Sequence, residues 1–280
     1  MEALRAVVDW PVTAAAAVVV GAAGPDSWAT RRRGDEGRTY PWASVTKLCT
    51  AWAVLVAVEE GSVSLDDALG PPGSTVAHLL SHASGLAPDD DQVLWPPARR
   101  RVYSNRGYEL LAEHVAARTG FSFAQYVKEA VLDPLGMGGA RWQPGGSAAA
   151  GLEGTPRDLA ALAGELLWPR LVSAPTIERA TSVVFPGIDG VLPGFGRQRP
   201  CDWGLGPELR GTKAPHWTGM TNSTRTFGHF GQSGAFVWVD PEAEVALASV
   251  SDRAFGEWSR RRWPALADAV LAELGRPAPA

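Results

Sequence analysis

Apolar and polar positions divide the chain into three zones. Near the N-terminus, Ala14 to Val20 is an unbroken apolar run leading to Gly24-Pro25-Asp26, and Ser27 to Arg33 follows it. That pattern predicts two strands joined by a turn. Gly34-Asp35-Glu36-Gly37 marks the next turn. Apolar residues then dominate from Thr46 to about Glu60, and Gly61 supplies the residue that commonly ends a helix. Between Ser62 and about Pro200, apolar residues recur at three- and four-residue spacing. This predicts helices at Val76 to Leu80, Tyr108 to Thr119, Phe123 to Leu132 and Thr155 to Leu167. Thr155-Pro156-Arg157-Asp158 opens the last of these with an N-cap, a proline at the first position and an early acid. Glycine and proline crowd Pro186 to Pro200. Strand character returns at Trp203 to Leu209, Ala235 to Asp240 and Glu244 to Ser251, with Asp240-Pro241-Glu242 turning the last two into a hairpin. An amphipathic helix from about Phe255 to Leu274 closes the chain.

Strands at both ends and helices between them predict an α/β (α+β) fold. Residues 1–61 and 201–280 would form an antiparallel sheet flanked by N- and C-terminal helices. Residues 62–200 would form an inserted, all-helical domain, and the cleft between the two is the place where a binding site would be expected.

Composition narrows the function. A chain of 280 residues, 45% of them hydrophobic, can bury a large core. A net charge of −4 argues against nucleic acid or an anionic membrane as the main partner. The triplets Arg31 to Arg33, Arg99 to Arg101 and Arg260 to Arg262 read as solvated faces. Cys49 and Cys201 are too few for a disulfide framework or a zinc site, and Cys49 reads as a small buried hydrophobe. Ala14 to Val20 with Gly21-Ala22-Ala23 has the outline of a secretion signal. Arg5 is the only base ahead of it, however, with Glu2 and Asp9 offsetting that charge and Pro11 interrupting the run, so a strand is the better reading. The expected location is the cytoplasm, with secretion or the periplasm as the alternative.

Ser44-Val45-Thr46-Lys47 carries the strongest chemical signal. Positions i and i+3 share a helix face, so the Lys47 amine can reach the Ser44 oxygen. A serine hydroxyl becomes nucleophilic when a neighbouring base takes its proton. The chain has three lysines (Lys47, Lys128 and Lys213) against 23 arginines, and only lysine can give up its proton and act as a base. Tyr103-Ser104-Asn105 offers a phenol that, with a depressed pKa, would pass protons, and an amide to fix substrate or Lys47. In His229-Phe230-Gly231-Gln232-Ser233-Gly234, small residues let a substrate approach a strand edge. One N–H there, with that of Ser44, would form an oxyanion hole. His78 and His82 stand four apart, but Leu79 occupies the position a zincin pattern gives to glutamate, and satisfied structural histidines are the better reading.

Together these segments resemble the serine β-lactamase and penicillin-binding-protein superfamily, specifically its class C-like branch. Ser44-Val45-Thr46-Lys47 matches the first motif, Tyr103-Ser104-Asn105 the second and His229-Phe230-Gly231 the third, in the family's order. His78-Leu79-Leu80-Ser81-His82-Ala83-Ser84-Gly85-Leu86 is similar to the segment ahead of the tyrosine motif. Asp133-Pro134-Leu135-Gly136-Met137 resembles the turn after it. The resemblance implies a β-lactamase/transpeptidase-like fold and an acyl-enzyme on Ser44. Lys47 and Tyr103 would share the proton transfers and Asn105 would position substrate. His229 would stand where the family has a lysine, Gly231 would keep the strand edge open, and the N–H groups of Ser44 and Gln232 would form the oxyanion hole. No metal or organic cofactor is implied.

Two departures shape the expected activity. Glu165-Leu166-Leu167-Trp168 does not fit the segment that carries the deacylating glutamate of class A enzymes, so water activation would fall to Tyr103. A histidine near its usual pKa of about 6.5 is mostly neutral at pH 7 and holds a substrate carboxylate less firmly than lysine does. The expected reaction is hydrolysis of a small ester or D-amino-acid amide. β-Lactamase or DD-carboxypeptidase activity and a non-catalytic sensor module are the alternatives. Trp203 and Trp217 are candidates for the wall of an apolar acyl pocket, which loops between Pro186 and Thr226 would shape.

Overall fold

The computed structural model describes residues 1–24 and 27–275, so the turn expected at Gly24-Pro25-Asp26 lies partly outside the described residues. Its centre is a six-stranded antiparallel sheet. In chain order the strands are β1 (Ala15–Gly24), β2 (Ser27–Gly34), then β3 (Tyr40–Pro41), β4 (Arg141–Trp142) and β5 (Leu152–Gly154) of a small separate sheet. A hairpin of β6 (Gly190–Leu192) and β7 (Gly196–Gln198) follows, and then β8 (Glu208–Leu209), β9 (Phe227–Phe230), β10 (Phe236–Asp240) and β11 (Val245–Ser251). The main sheet runs β2-β1-β11-β10-β9-β8, so the two ends of the chain meet at the β1–β11 pair, with Val18 opposite Ala248.

Both faces of this sheet are covered, which explains why its strands read as continuous apolar runs. Ala16, Val18, Val20, Val237, Val239, Ala246 and Ala248 face one core. It contains α1 (Thr46–Glu59) and α5 (Pro156–Leu167). Ala17, Val19, Phe236, Trp238 and Leu247 face the other, with Leu4 and Val7 of a short N-terminal helical turn and Trp263, Leu266 and Val270 of α7 (Glu257–Glu273). The flanking terminal helices expected from the sequence are therefore present.

The middle segment supplies α2 (Val76–Leu80), α3 (Asn105–Thr119), α4 (Phe123–Val127) continued by a wide turn at Lys128–Leu132, and α6 (Ala174–Ala180). It also carries β4 to β7. Its helix α5 lies on the sheet against β11, β1 and β10, although the sequence pattern grouped it with the helical insertion. Thr155 caps α5 as expected: its hydroxyl accepts from the Asp158 N–H, and Asp158 accepts from the Thr155 N–H at 2.8 Å. No helix among the described residues is long and apolar enough to cross a membrane.

Two strand expectations change. Trp203 to Leu209 is not one strand. Gly206 takes φ +114°, and the chain doubles back so that Trp203 bridges Glu208, leaving only Glu208–Leu209 extended. The loop tip must approach α1 closely, since a Cβ on Gly206 would lie 2.4 Å from that of Ala51. Conversely, Phe227–Phe230 is a strand ahead of the expected one at residue 235. It is four residues long and interrupted by Gly228, too short for periodicity to reveal.

Candidate active site

Ser44 sits in the tight turn Ala43–Val45 that leads into α1. Ala43 is held at φ +45°, a left-handed conformation costing a non-glycine residue on the order of 1 kcal/mol. That bend sets the hydroxyl at the rim of a cavity lined by Ser44, Tyr103, Trp203, His229, Phe230 and Gln232, together with Leu192, Pro193 and Glu208. Gly231 brings the sheet to this turn. A Cβ there would lie 2.2 Å from the Trp42 carbonyl oxygen and 3.2 Å from the Ser44 nitrogen, so only glycine lets the end of β9 touch the serine. Its neighbour Gln232 thereby lines the cavity, and among the described residues no acceptor takes the Gln232 N–H.

Lys47 is buried behind Ser44, in the first turn of α1. Its Nζ lies 2.6 Å from Asn105 Oδ1, 2.9 Å from the Ala149 carbonyl and 3.4 Å from Ser44 Oγ. The hydrogen-bonding groups in this chain of contacts constrain one another. Asp89 only accepts, and it takes the Asn105 Nδ2–H at 2.7 Å. The amide oxygen of Asn105 therefore faces Lys47 and must be given a proton. The Ala149 carbonyl must be given another. As the ammonium, Lys47 gives its third N–H to Ser44 Oγ; as the neutral amine it keeps two N–H groups for these oxygens and turns its lone pair to the Ser44 hydroxyl. Desolvation by burial pushes the lysine down to about 7, against the opposing pull of Asp89 and Glu109.

His229 is the corresponding piece on the sheet side. It stands opposite Val237 and so shares that residue's face, toward the helices. Its Nδ1 lies 2.8 Å from the Phe230 carbonyl, which can only accept, so Nδ1 carries the proton. Nε2 then presents its lone pair to the Tyr103 hydroxyl at 3.4 Å. Burial, and then the charge of Lys47, lowers His229 to about 3, so it is neutral well below pH 7. Tyr103 departs from expectation in sign. Burial raises the phenol above its ordinary value, and a hydrogen bond with Ser44 only partly opposes this. The phenol is therefore neutral at pH 7 rather than a phenolate.

The remaining assignments sort cleanly. Asn105 spends both ends of its amide on Lys47 and Asp89, so in this structure it holds the lysine instead of standing free for a substrate. Asp89, which the sequence reading missed, is fixed because the adjoining Pro88 carbonyl accepts the Asn105 and Arg106 N–H groups at the start of α3. Trp203 lines the cavity, but Trp217 does not; its indole N–H is bound to Glu208 in the core. His78 is held by Thr75 and stacks on Phe185, while His82 accepts the Ser104 N–H and lies against the Tyr103 ring at 4.4 Å. Glu165 is buried and accepts from Trp52, Arg170 and Leu171. Arg101, expected on a solvated face, is buried, with its guanidinium spread over four backbone carbonyls.

A serine hydroxyl beside a buried amine that loses its proton near pH 7, close to a strand edge with an unclaimed N–H, is an arrangement capable of acyl transfer. The chain belongs to the beta-lactamase family, whose sequence profile matches residues 11–272, and members of that family are serine hydrolases. It is 55% identical to a beta-lactamase of Mycobacterium bovis whose crystal structure superposes with a TM-score of 0.92, covering 97% of this chain and 99% of that one. A D-alanyl-D-alanine-carboxypeptidase/endopeptidase, AmpH of Escherichia coli K12, is 27% identical over 139 residues, a match covering 36% of each chain. The octameric penicillin-binding protein homologue of Pyrococcus abyssi shares the fold at a TM-score of 0.72 and 21% identity, over 98% of this chain and 76% of that one.

Proposed function

We propose that this protein hydrolyses small, uncharged esters through an acyl-enzyme on Ser44. The observation that carries the reading is the character of the cavity onto which Ser44 opens. Among the described residues its lining holds no lysine or arginine, its histidine is neutral, and its one formal charge is the Glu208 carboxylate. A carboxylate-bearing substrate, whether a β-lactam or the end of a D-alanyl-D-alanine peptide, would be desolvated there without a cation to receive it. The ammonium of a D-amino-acid amide fares little better, because both Glu208 oxygens are already engaged by Lys213, His216 and Trp217.

In the proposed reaction the Ser44 proton passes to the Lys47 amine as Oγ bonds to the ester carbon. Negative charge on the carbonyl oxygen is met by the N–H groups of Ser44 and Gln232. The carbon–alkoxide bond then breaks, and the departing alcohol takes a proton from the Lys47 ammonium through the Tyr103 hydroxyl. Water enters by the reverse route and frees the acid. Tyr103, kept neutral and hydrogen-bonded to His229, hands protons on in both directions.

A panel of short-chain p-nitrophenyl esters, D-amino-acid p-nitroanilides and nitrocefin tests the reading, run on wild type and Ser44→Ala. Ester turnover that Ser44→Ala abolishes, with nitrocefin slower by orders of magnitude, is the expected result. Preferred turnover of nitrocefin, or a single acylation burst without turnover, contradicts it.

A further inference from the structure

We propose that the β6–β7 hairpin is an acyl-length gate, with Leu192 as the residue that limits the acyl group to about two or three carbons. The inference rests on the acyl-enzyme reading above and concerns which acyl groups that site admits. The cavity at Ser44 encloses about 40 Å³. One water needs roughly 10–15 Å³ by the same measure, so the space suits an acetyl or propionyl group and little more. In this reading the acyl group occupies it, since that part of the ester stays bonded to Ser44 Oγ after the alcohol departs.

Leu192 and Pro193 form part of the wall of this space. Their conformation is written in the local sequence. Leu192-Pro193-Gly194-Phe195 is a tight turn in which the Phe195 N–H bonds the Leu192 carbonyl at 2.9 Å and Gly194 takes φ +79°. Proline and glycine occupy the two central positions that such a turn favours. Alternation along β6 then turns Leu192 inward, 1% exposed, and Val191 outward, 49% exposed.

The wall is fixed at both ends. At its base, the Arg101 N–H donates to the Asp189 carbonyl at 2.8 Å, and Arg101 bridges Gly190. The Arg101 guanidinium binds the carbonyls of Ser81, Val184, Phe185 and Cys201, tying both ends of the loop to the body of the protein. At its tip, Phe195 packs on Phe230 at 5.9 Å and Phe255 at 5.8 Å. Arg260 of α7 lies over the Phe195 ring. A wall held this way cannot collapse into space vacated by a smaller side chain, so that space passes to the substrate.

The test measures kcat/KM for wild type, Leu192→Ala, Leu192→Val, Leu192→Phe and Val191→Ala on p-nitrophenyl esters from acetate to octanoate and on acetate esters of increasingly large alcohols. In parallel, intact-mass spectrometry follows labelling of Ser44 by fluorophosphonates whose alkyl chain on phosphorus runs from methyl to octyl. Wild type should favour acetate and propionate. Leu192→Ala should raise the hexanoate-to-acetate ratio about tenfold or more, Leu192→Val by less, and Leu192→Phe should depress propionate relative to acetate. Val191→Ala should leave the profile unchanged. An unchanged acyl profile in Leu192→Ala and Leu192→Val, or a shift confined to the alcohol series, overturns the gate. Should no ester be turned over, the acyl-enzyme reading fails as catalysis. The phosphonate series then decides the gate alone: a shift to longer chains in the Leu192 variants upholds it, and identical labelling overturns it.

Discussion

Two lysines are buried in this protein, and their surroundings make them different reagents. Lys47 is held by an amide oxygen and a backbone carbonyl, with the Asp89 carboxylate one residue removed behind Asn105. Lys213 is paired directly with Glu208 and also binds the carbonyls of Asp202 and Leu209. Burial alone would raise the Glu208 carboxyl, but His216 and Lys213 outweigh it and bring it to about 2. Neutral acceptors leave a buried amine free to lose its proton; a contacting carboxylate makes it half of a structural ion pair. In the proposed reaction the first site serves chemistry, while the second serves cohesion.

Substitution should separate them first by activity. Lys47→Met should lower kcat/KM for a short ester on the order of 10⁴-fold with the fold intact, and Lys47→Arg should do no better, because a guanidinium keeps its proton. Lys213→Met should change stability instead, costing about 3 kcal/mol in urea unfolding by leaving Glu208 buried with one fewer cation. Comparable activity losses in the two variants would erase the distinction.

The pH dependence of stability gives a smaller, signed effect. The folded pKa of Lys47, about 7, lies below its ordinary 10.5. Between those values the unfolded chain binds the extra proton, so this residue's contribution to stability rises with pH across that window and is constant below it. Wild type should therefore gain on Lys47→Met by about 1.4 kcal/mol per pH unit above pH 7. A parallel pH course for the two proteins would show that Lys47 keeps its ordinary pKa.

Asp89 supplies the finest adjustment. Its charge raises the Lys47 pKa, so Asp89→Asn should move the acid limb of the kcat/KM profile to lower pH. Movement to higher pH would mean that Asp89 acts chiefly by orienting Asn105.

Much of this site was legible in the chain because its chemistry is local. Ser44 and Lys47 share one helical turn, and Tyr103 and Asn105 flank one helix start, so spacing alone places each pair. The hydrophobic runs likewise mark β1, α1, β10, β11 and α7. What escaped depends on contacts between distant segments. Nothing in Asp89-Asp90-Asp91 says that the first acid will face Asn105. Nothing in Arg99-Arg100-Arg101 says that the third guanidinium will be buried under a hairpin. The raised pKa of Tyr103 is also a tertiary property, set by the His82, Trp203 and His229 rings around it.

The most direct measurement follows acylation of the protein by p-nitrophenyl acetate, with peptide mapping of the adduct across pH 5 to 9. An acetyl group on Ser44, formed at a rate that rises through pH 7 and is lost in Lys47→Met, is the predicted result. An adduct on another residue, or equal acylation rates with and without Lys47, would contradict a serine activated by a buried neutral amine.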